Sequence, residues 1–272
     1  MNIVIDIGSF KTVIALFDNK NHIVEKVHFK TNNNYAKFLI DLENNVVRFL
    51  TIFDINSGII SISGLIDLSS SYLIKAFDIN WHNINLITDI EKITKTPFLL
   101  ENTSYLSTIF ETSKLNHTPE SILYISISNN INYCFLNTNH TNEKIISSGN
   151  DIMIQKKSSF SNWHSLISGK SIIENYHIPV KEIEDANFWK IYSRDLAAGI
   201  WQLNVTYQPE IIIIGGIVGK YFEKYSQYMM NEISNFTLPV IKPPTIIPAI
   251  KPLSSSLYGG IKYLTENGLM SK

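Results

Sequence analysis

The sequence predicts an α/β protein of two lobes, each a mixed sheet flanked by helices. Three short apolar runs open the chain, at 2–7, 12–17 and 23–29, and a segment of helical spacing follows them. The same order returns in the second half, with runs at 121–127, 132–136 and 143–147 ahead of a long helical stretch at 187–206. With 272 residues, 44% of them hydrophobic, the chain can bury a large core, which argues against global disorder.

Each element has its own signal. The run NIVIDI at 2–7 reads as a buried strand, broken by Gly8 and Ser9 and resumed at 12–17. A polar turn, Asp18 to Asn21, then joins two adjacent strands as a hairpin. Phe38, Leu39, Leu42, Val46 and Leu50 stand at helical spacing over 35–50. The run at 58–62 is a strand closed by Ser63 and Gly64, and a loop containing Trp81 leads to a helix over 86–94. Pro97 introduces a short strand, Phe98 to Leu100, and a helix follows at 103–113 with Asn102 or Thr103 as its N-cap.

In the second half Pro209 and Glu210 precede the apolar run Ile211–Ile214, which ends in Gly215 and Gly216. Helices are expected at about 219–233 and from Ser255 to about Glu266. The expected lobes are 1–113 and 114–272, with the last helix packing back on the first lobe.

Composition narrows the function classes. The formal net charge is -1, from 23 basic and 24 acidic residues, so nothing steers the protein toward nucleic acid or anionic lipid. The one cysteine, Cys134, excludes a disulfide framework and a zinc site of several thiolates. It falls in an expected strand, where a buried inert thiol is the ordinary case. No cationic segment with a long apolar run opens the chain, and no apolar stretch is long enough to span a membrane, so a cytoplasmic location is expected. Tyr221, Phe222, Tyr225 and Tyr228 at helical spacing read as a packing stripe.

The order of short motifs adds a resemblance. Asp6-Ile7-Gly8-Ser9-Phe10-Lys11-Thr12 resembles the DxGGTK phosphate loop of ROK kinases (repressors, open reading frames and kinases). Residues 58–67, ending in Gly64-Leu65-Ile66-Asp67, are similar to the family's GIxxPGxVD segment, and Trp81 stands where the family often has a tryptophan. PFLLEN at 97–102 resembles the strand leading to the ENDAN motif, and Ser168-Gly169 the SG after the family's zinc loop. PEIIIIGG at 209–216 resembles the PExIxxGG adenosine motif, and Tyr258-Gly259-Gly260 the start of the closing helix.

The resemblance implies the two-lobed actin-like ATPase fold, with its ribonuclease H-like sheets, and a nucleotide between the lobes. Gly8, Ser9, Lys11, Thr12, Gly215 and Gly216 would then bind nucleotide, because bare backbone lets N–H groups approach phosphate. Asp6 would hold magnesium through water. Asn102 and Gly64 would serve the sugar. An N-cap role for Asn102, a turn cap for Asp6 and a tight packing turn for Gly215-Gly216 are the plain alternatives.

Three elements depart from the family pattern. The aspartate that takes the sugar hydroxyl's proton is replaced by Thr103, whose hydroxyl has no useful basicity at neutral pH. The second phosphate turn, GTGIGGG in the family, is SNNINYC at 128–134. Residues 148–162 contain no Cys or His, so no structural zinc is expected, and the family's sugar-binding glutamate falls at His164. His164 and His140 read as lone surface histidines rather than ligands.

The implied function is a ROK sugar-kinase-like protein, weak or inactive in ATP-dependent sugar phosphorylation, with a sugar or nucleotide binding and sensing role. The alternative is an active hexose or amino-sugar kinase, using ATP and magnesium and another base. Glu101, Asp67 and Asp151 are the candidates, and strand alternation points Glu101 away from Thr103. Family repressors carry a helix-turn-helix ahead of the first strand. That strand starts here at Asn2, so no nucleic-acid partner is expected. A homodimer rests on the family analogy alone.

Overall fold

Local chemistry sets the first hairpin. Strands β1 (Asn2–Ile7), β2 (Lys11–Phe17) and β3 (Ile23–Lys30) pair antiparallel in succession. In the turn between β2 and β3, the Asp18 carboxylate accepts from the Lys20 and His22 amides at 2.8 and 2.9 Å, and Asn21 takes a φ of 61°. The edge strand β3 alternates half-buried and exposed residues along its length.

Helix α1 (Tyr35–Ile52) is capped by Asn34, whose side chain accepts from the Lys37 amide. It buries Phe38, Leu42, Val46 and Phe49, one helical stripe. Strand β4 (Ser57–Ile62) follows, with all its residues buried, as a central parallel strand requires. A small antiparallel sheet of β5 (Gly64–Asp67), β6 (Tyr72–Ala76) and β7 (His82–Ile84) stands where a loop was expected. Its strands are too short and too mixed in polarity to show a period. Trp81, 1% exposed, donates to the Asn33 carbonyl and packs on Phe38. Then come α2 (Leu86–Thr94), β8 (Phe98–Asn102) and α3 (Thr103–Thr112).

The later elements are β9 (Ser121–Ile127), β10 (Ile131–Asn137), β11 (Lys144–Ser148), β12 (Met153–Lys156), β13 (Ser159–Asn162), α4 (Trp163–Ile167), α5 (Gly169–Tyr176) and α6 (Ala186–Tyr207). They continue with β14 (Ile211–Gly215), α7 (Gly216–Gly219), α8 (Phe222–Ser234), β15 (Thr245–Pro248) and α9 (Ser255–Glu266). This computed structural model describes residues 1–67, 70–138, 143–156, 159–236 and 241–267; His140 lies outside them. The chain divides into two units, Met1–Phe110 with Ser254–Lys272, and Glu111–Leu253.

In the first unit the sheet order is β3-β2-β1-β4-β8, with β1, β4 and β8 parallel. One face packs on α1 and α2. The other carries Val4, Ala15, Phe17 and Ile59 against Leu106 of α3 and Leu257, Ile261 and Leu264 of α9. In the second unit the order is β11-β10-β9-β14-β15, with β9, β14 and β15 parallel. Its core gathers Trp163, Trp189, Tyr192 and Tyr225 around Leu123, Ile125, Ile212 and Ile214. Tyr225 of the expected stripe is fully buried and stacks with Trp189, while Tyr221, Phe222 and Tyr228 flank that core. Cys134 is buried in β10.

Two details hold the ends of this frame. Glu111, 2% exposed in the last turn of α3, accepts from the Ile250 and Lys251 amides at 2.8 and 3.0 Å. Two backbone donors to one buried carboxylate are charge-assisted bonds that hold the approach to α9. In α9, a Cβ on Gly259 would lie 1.8 Å from the Leu106 carbonyl oxygen, so α9 and α3 cross backbone against backbone. Gly259→Ala is expected to destabilise the fold by about 1–3 kcal/mol through overpacking. The check is a lower urea midpoint with an unchanged m-value.

Candidate functional site

Strand register places the first cluster. Asp6 of β1 pairs with Ser61 of β4, and Ser61 pairs with Glu101 of β8. Residues in register across parallel strands project to one face, here the face carrying α3 and α9. The Ser61 hydroxyl lies 2.7 Å from Asp6 Oδ1 and 2.9 Å from Thr103 Oγ1. From the first turn of α9, the Ser256 hydroxyl donates to Asp6 Oδ2 at 2.9 Å. Burial raises the Asp6 pKa, and donation from Ser61 and Ser256, with the nearby Lys11 charge, opposes that rise. Asp6 and Thr103, singled out from sequence, are thus joined through Ser61. Ser61 and Ser256 were missed. Their signal was a lone hydroxyl inside the apolar run GIISI and a Ser-Ser-Ser segment at the start of the closing helix.

The turn after β1 is closed by the Gly8 amide, which donates to the Lys11 carbonyl at 3.1 Å. Lys11 is exposed and Ser9 half-buried. Thr12 is fully buried, and its hydroxyl pairs with that of Thr31 at 2.8 Å. Asn102, 2% exposed, has both ends of its side chain engaged. Its Oδ1 accepts from the Ser104 amide, capping α3, and its Nδ2 donates to the Gly64 carbonyl at 3.1 Å.

The second cluster lies at the ends of β9 and β14. Gly216 has a φ of +81°, and a Cβ there would stand 2.5 Å from the Ile127 carbonyl oxygen, so only glycine fits. Gly215 precedes it at the buried end of β14, and the Gly216 amide donates to the Pro252 carbonyl. Ser128, first residue of the turn that lacks glycine, ties three segments together. Its Oγ accepts from the Ile217 amide at 3.2 Å, and its carbonyl accepts from the Gly169 amide at 2.6 Å. His164 sits in α4, half-buried, with Nδ1 lacking a hydrogen-bond partner among the described residues. Burial, and then the Lys170 charge, lower its pKa, which favours neutral imidazole.

The opposite end of β14 is stapled by Glu210. Its carboxylate meets His117 Nε2 at 3.0 Å and accepts from the Glu120 amide at 2.7 Å. The glutamate of the PEIIIIGG run therefore joins β14 to the approach of β9, while the glycines shape the far end.

Each unit contains a five-stranded sheet of one design, three successive antiparallel strands continued by two parallel ones. That duplication defines an actin-like ATPase fold with ribonuclease H-like sheets. The chain belongs to the ROK family, whose family model matches residues 2–140. The fold is similar to that of a ROK family glucokinase from Streptomyces griseus, solved with glucose and AMPPNP. The TM-score is 0.81 at 16% identity, over 98% of this chain and 99% of that one. A ROK family protein from Streptococcus pneumoniae TIGR4, solved with sucrose, aligns at TM-score 0.75 and 17% identity, over 98% of each chain. An inorganic polyphosphate/ATP-glucomannokinase from Arthrobacter sp. strain KM aligns at 0.74 and 16%, over 98% of each. No curated protein matches the sequence. Among the described residues no helix is long and apolar enough to cross a membrane.

Glu210 supplies a pH test. The hydrogen bond from His117, then that from the Glu120 amide, hold its carboxyl below the usual range. A carboxyl so depressed stabilises the fold above its unfolded pKa, and that contribution is lost as pH falls through the lower folded value. Glu210→Gln is expected to lose less of its urea midpoint than the parent between pH 6 and pH 3. An equal loss in both proteins would remove the staple from the account.

Proposed function

We propose that this chain is a ROK sugar-kinase-like protein that binds nucleotide or sugar and phosphorylates sugar weakly or not at all. The observation that carries this reading is the group at position 103. Where the family pattern has a carboxylate, a threonine hydroxyl lies 2.9 Å from Ser61. A neutral hydroxyl does not take a proton from an attacking alcohol at pH 7, and loss of a general base costs ~10²–10⁴ in rate.

The candidate carboxylates named from the sequence bear on the same reading. Glu101 is 2% exposed, and its Oε1 accepts from the Asn102 amide at 2.7 Å, a poor setting for a base that must meet a sugar. Asp67 accepts from Ser70, and Asp151 from Ser147. The glycine-free turn at Ser128 adds to this, because its hydroxyl occupies the Ile217 amide.

Binding is the part that this reading retains. Asp6 fits a magnesium ion held through water. Each of its oxygens accepts one hydroxyl and keeps a lone pair, and a hard cation takes oxygen donors. Magnesium would neutralise nucleotide phosphates there. Among the described residues no three His, Cys, Asp or Glu side chains gather as a metal ligand set. The glucose and AMPPNP in the Streptomyces griseus glucokinase indicate the ligand classes to try first.

A coupled assay with ATP, magnesium and a panel of hexoses and amino sugars tests the catalytic half. Expected turnover lies at least ~10²-fold below the 1–100 s⁻¹ common for kinases. Turnover inside that range rejects the reading. Thermal shift with magnesium-ATP or with the same sugars tests the binding half, since a ligand at 100 times its Kd stabilises by about 2.7 kcal/mol. No shift with any of them would remove it.

A further inference from the structure

We infer that the outer edge of β3 is a docking site for an extended peptide in which acidic and apolar residues alternate. Strand β3 stands at the end of the order β3-β2-β1-β4-β8. It pairs with β2 alone, and among the described residues no backbone group of Ile23–Lys30 forms a hydrogen bond beyond that ladder. Its 8 residues therefore carry a row of unpaired N–H and C=O groups, the template on which a further strand is added.

The two faces of β3 ask for different chemistry. Register sets Lys30 opposite Lys11, His28 opposite Val13 and Lys26 opposite Ala15. Lys11, Lys26, His28 and Lys30 are all exposed. On one face of the strand, Lys26, His28 and Lys30 follow one another at about 7 Å. Among the described residues no carboxylate lies within ion-pair distance of any of the four. Glu25, the one acid of the strand, faces the other side, where Arg48 of α1 holds it. On that side Val27 and Phe29 are half-buried, packed on the core beneath α1. The strand ends that carry Lys11 and Lys30 are held side by side by the Thr12–Thr31 hydroxyl pair and by the Thr31 amide, which donates to the Phe10 carbonyl. Like charges directly opposite are a cost to the pair of strands, and a partner of opposite sign relieves it.

A strand added to this edge sets its residues opposite those of β3, alternately on the two faces. Acidic side chains at every second position meet Lys26, His28 and Lys30, and apolar ones between them cover Val27 and Phe29. A second copy of β3 brings the same cations against these and is repelled. Lysines on an edge deter stray pairing, and the same charges admit a strand of opposite sign. Single-stranded nucleic acid wants rings interleaved with cations, and here Phe29 turns to the other face. The docking site does not depend on nucleotide or sugar binding.

The test uses the full chain and the fluorescence anisotropy of a labelled synthetic peptide, glutamate and valine in alternation over the length of β3. The alternating peptide is expected to bind, and Lys26→Glu/Lys30→Glu to weaken binding at least ~tenfold, since two attractive cross-strand pairs become repulsive. A block peptide with all glutamates ahead of all valines is expected to bind at least ~tenfold more weakly, because only alternation satisfies both faces. Of two forms N-methylated at every glutamate or at every valine, one is expected to lose binding, since one set of amides faces β3. No binding by the alternating peptide, equal binding by the block peptide, or undiminished binding by both methylated forms overturns the proposal. Competition by inorganic polyphosphate or single-stranded DNA as strong as that by unlabelled peptide also overturns it, since the row is then a general polyanion surface. The urea midpoint of the double variant is expected to match the parent; if it falls, Lys26→Gln/Lys30→Gln replaces it, and undiminished binding by that variant overturns the role of the two lysines.

Discussion

Parallel register between β1, β4 and β8 is the constraint from which the first unit's chemistry follows. Asp6 stands beside Ser61, and Ser61 beside Glu101, because each strand repeats its neighbour's alternation in step. A slip of one residue would turn Asp6 toward the face packed on α1 and α2, and would turn Ile5 and Ile7 out of that core. Burial of the isoleucines therefore aims the carboxylate. The hydrophobic demand of the sheet and the placement of its polar end are one requirement.

A buried polar group needs a partner, and much of this chain's polar inventory is spent that way. Thr12 bonds Thr31, Asn102 caps α3 and holds Gly64, and Glu111 gathers two amides ahead of α9. Thr12 and Asn102 sit in motifs that the family resemblance reads as ligand contacts. The plain and functional readings share side chains. Asn102 shows why they are hard to separate: a cap needs an oxygen at the first turn of a helix, and a sugar needs a donor or acceptor in a fixed place. One rigid amide meets either need.

The second unit shows an analogous overlap in backbone form. Gly216 is required by a positive φ and by the Ile127 carbonyl at its Cα, whatever binds nearby. Ser128 supplies from within the chain the acceptor that the Ile217 amide needs. Glu210 anchors the far end of β14 with His117 and the Glu120 amide. The motif PEIIIIGG is thus a strand with a staple at one end and a sharp exit at the other, and its spacing is the length of β14.

The regular elements were legible in the sequence where a period was long and its ends were marked. The helices over 86–94 and 255–266 stand as their spacing implied, and α1 and α6 differ only by a residue or two at their ends. The three-strand and adjoining parallel-strand runs were legible for the same reason: isoleucine-rich segments bounded by Gly, Asn and Pro. The strands β5 to β7, β12, β13 and β15 and the short helices α4, α5 and α7 were not, because segments of three to eight residues carry too little pattern. The change at Thr103 was also plain from its place in the chain. The hydroxyls around it were not: Ser61, which bonds Thr103, lies 42 residues before it, and Ser256, which bonds Asp6, lies 153 residues after it, and no local pattern links a hydroxyl in a strand to one in the last helix. Sequence alone determined which of the longer segments become strands and helices, since that depends on side chains a few residues apart. Tertiary structure decided which hydroxyl holds which carboxylate, since that depends on strand register and on where α9 returns.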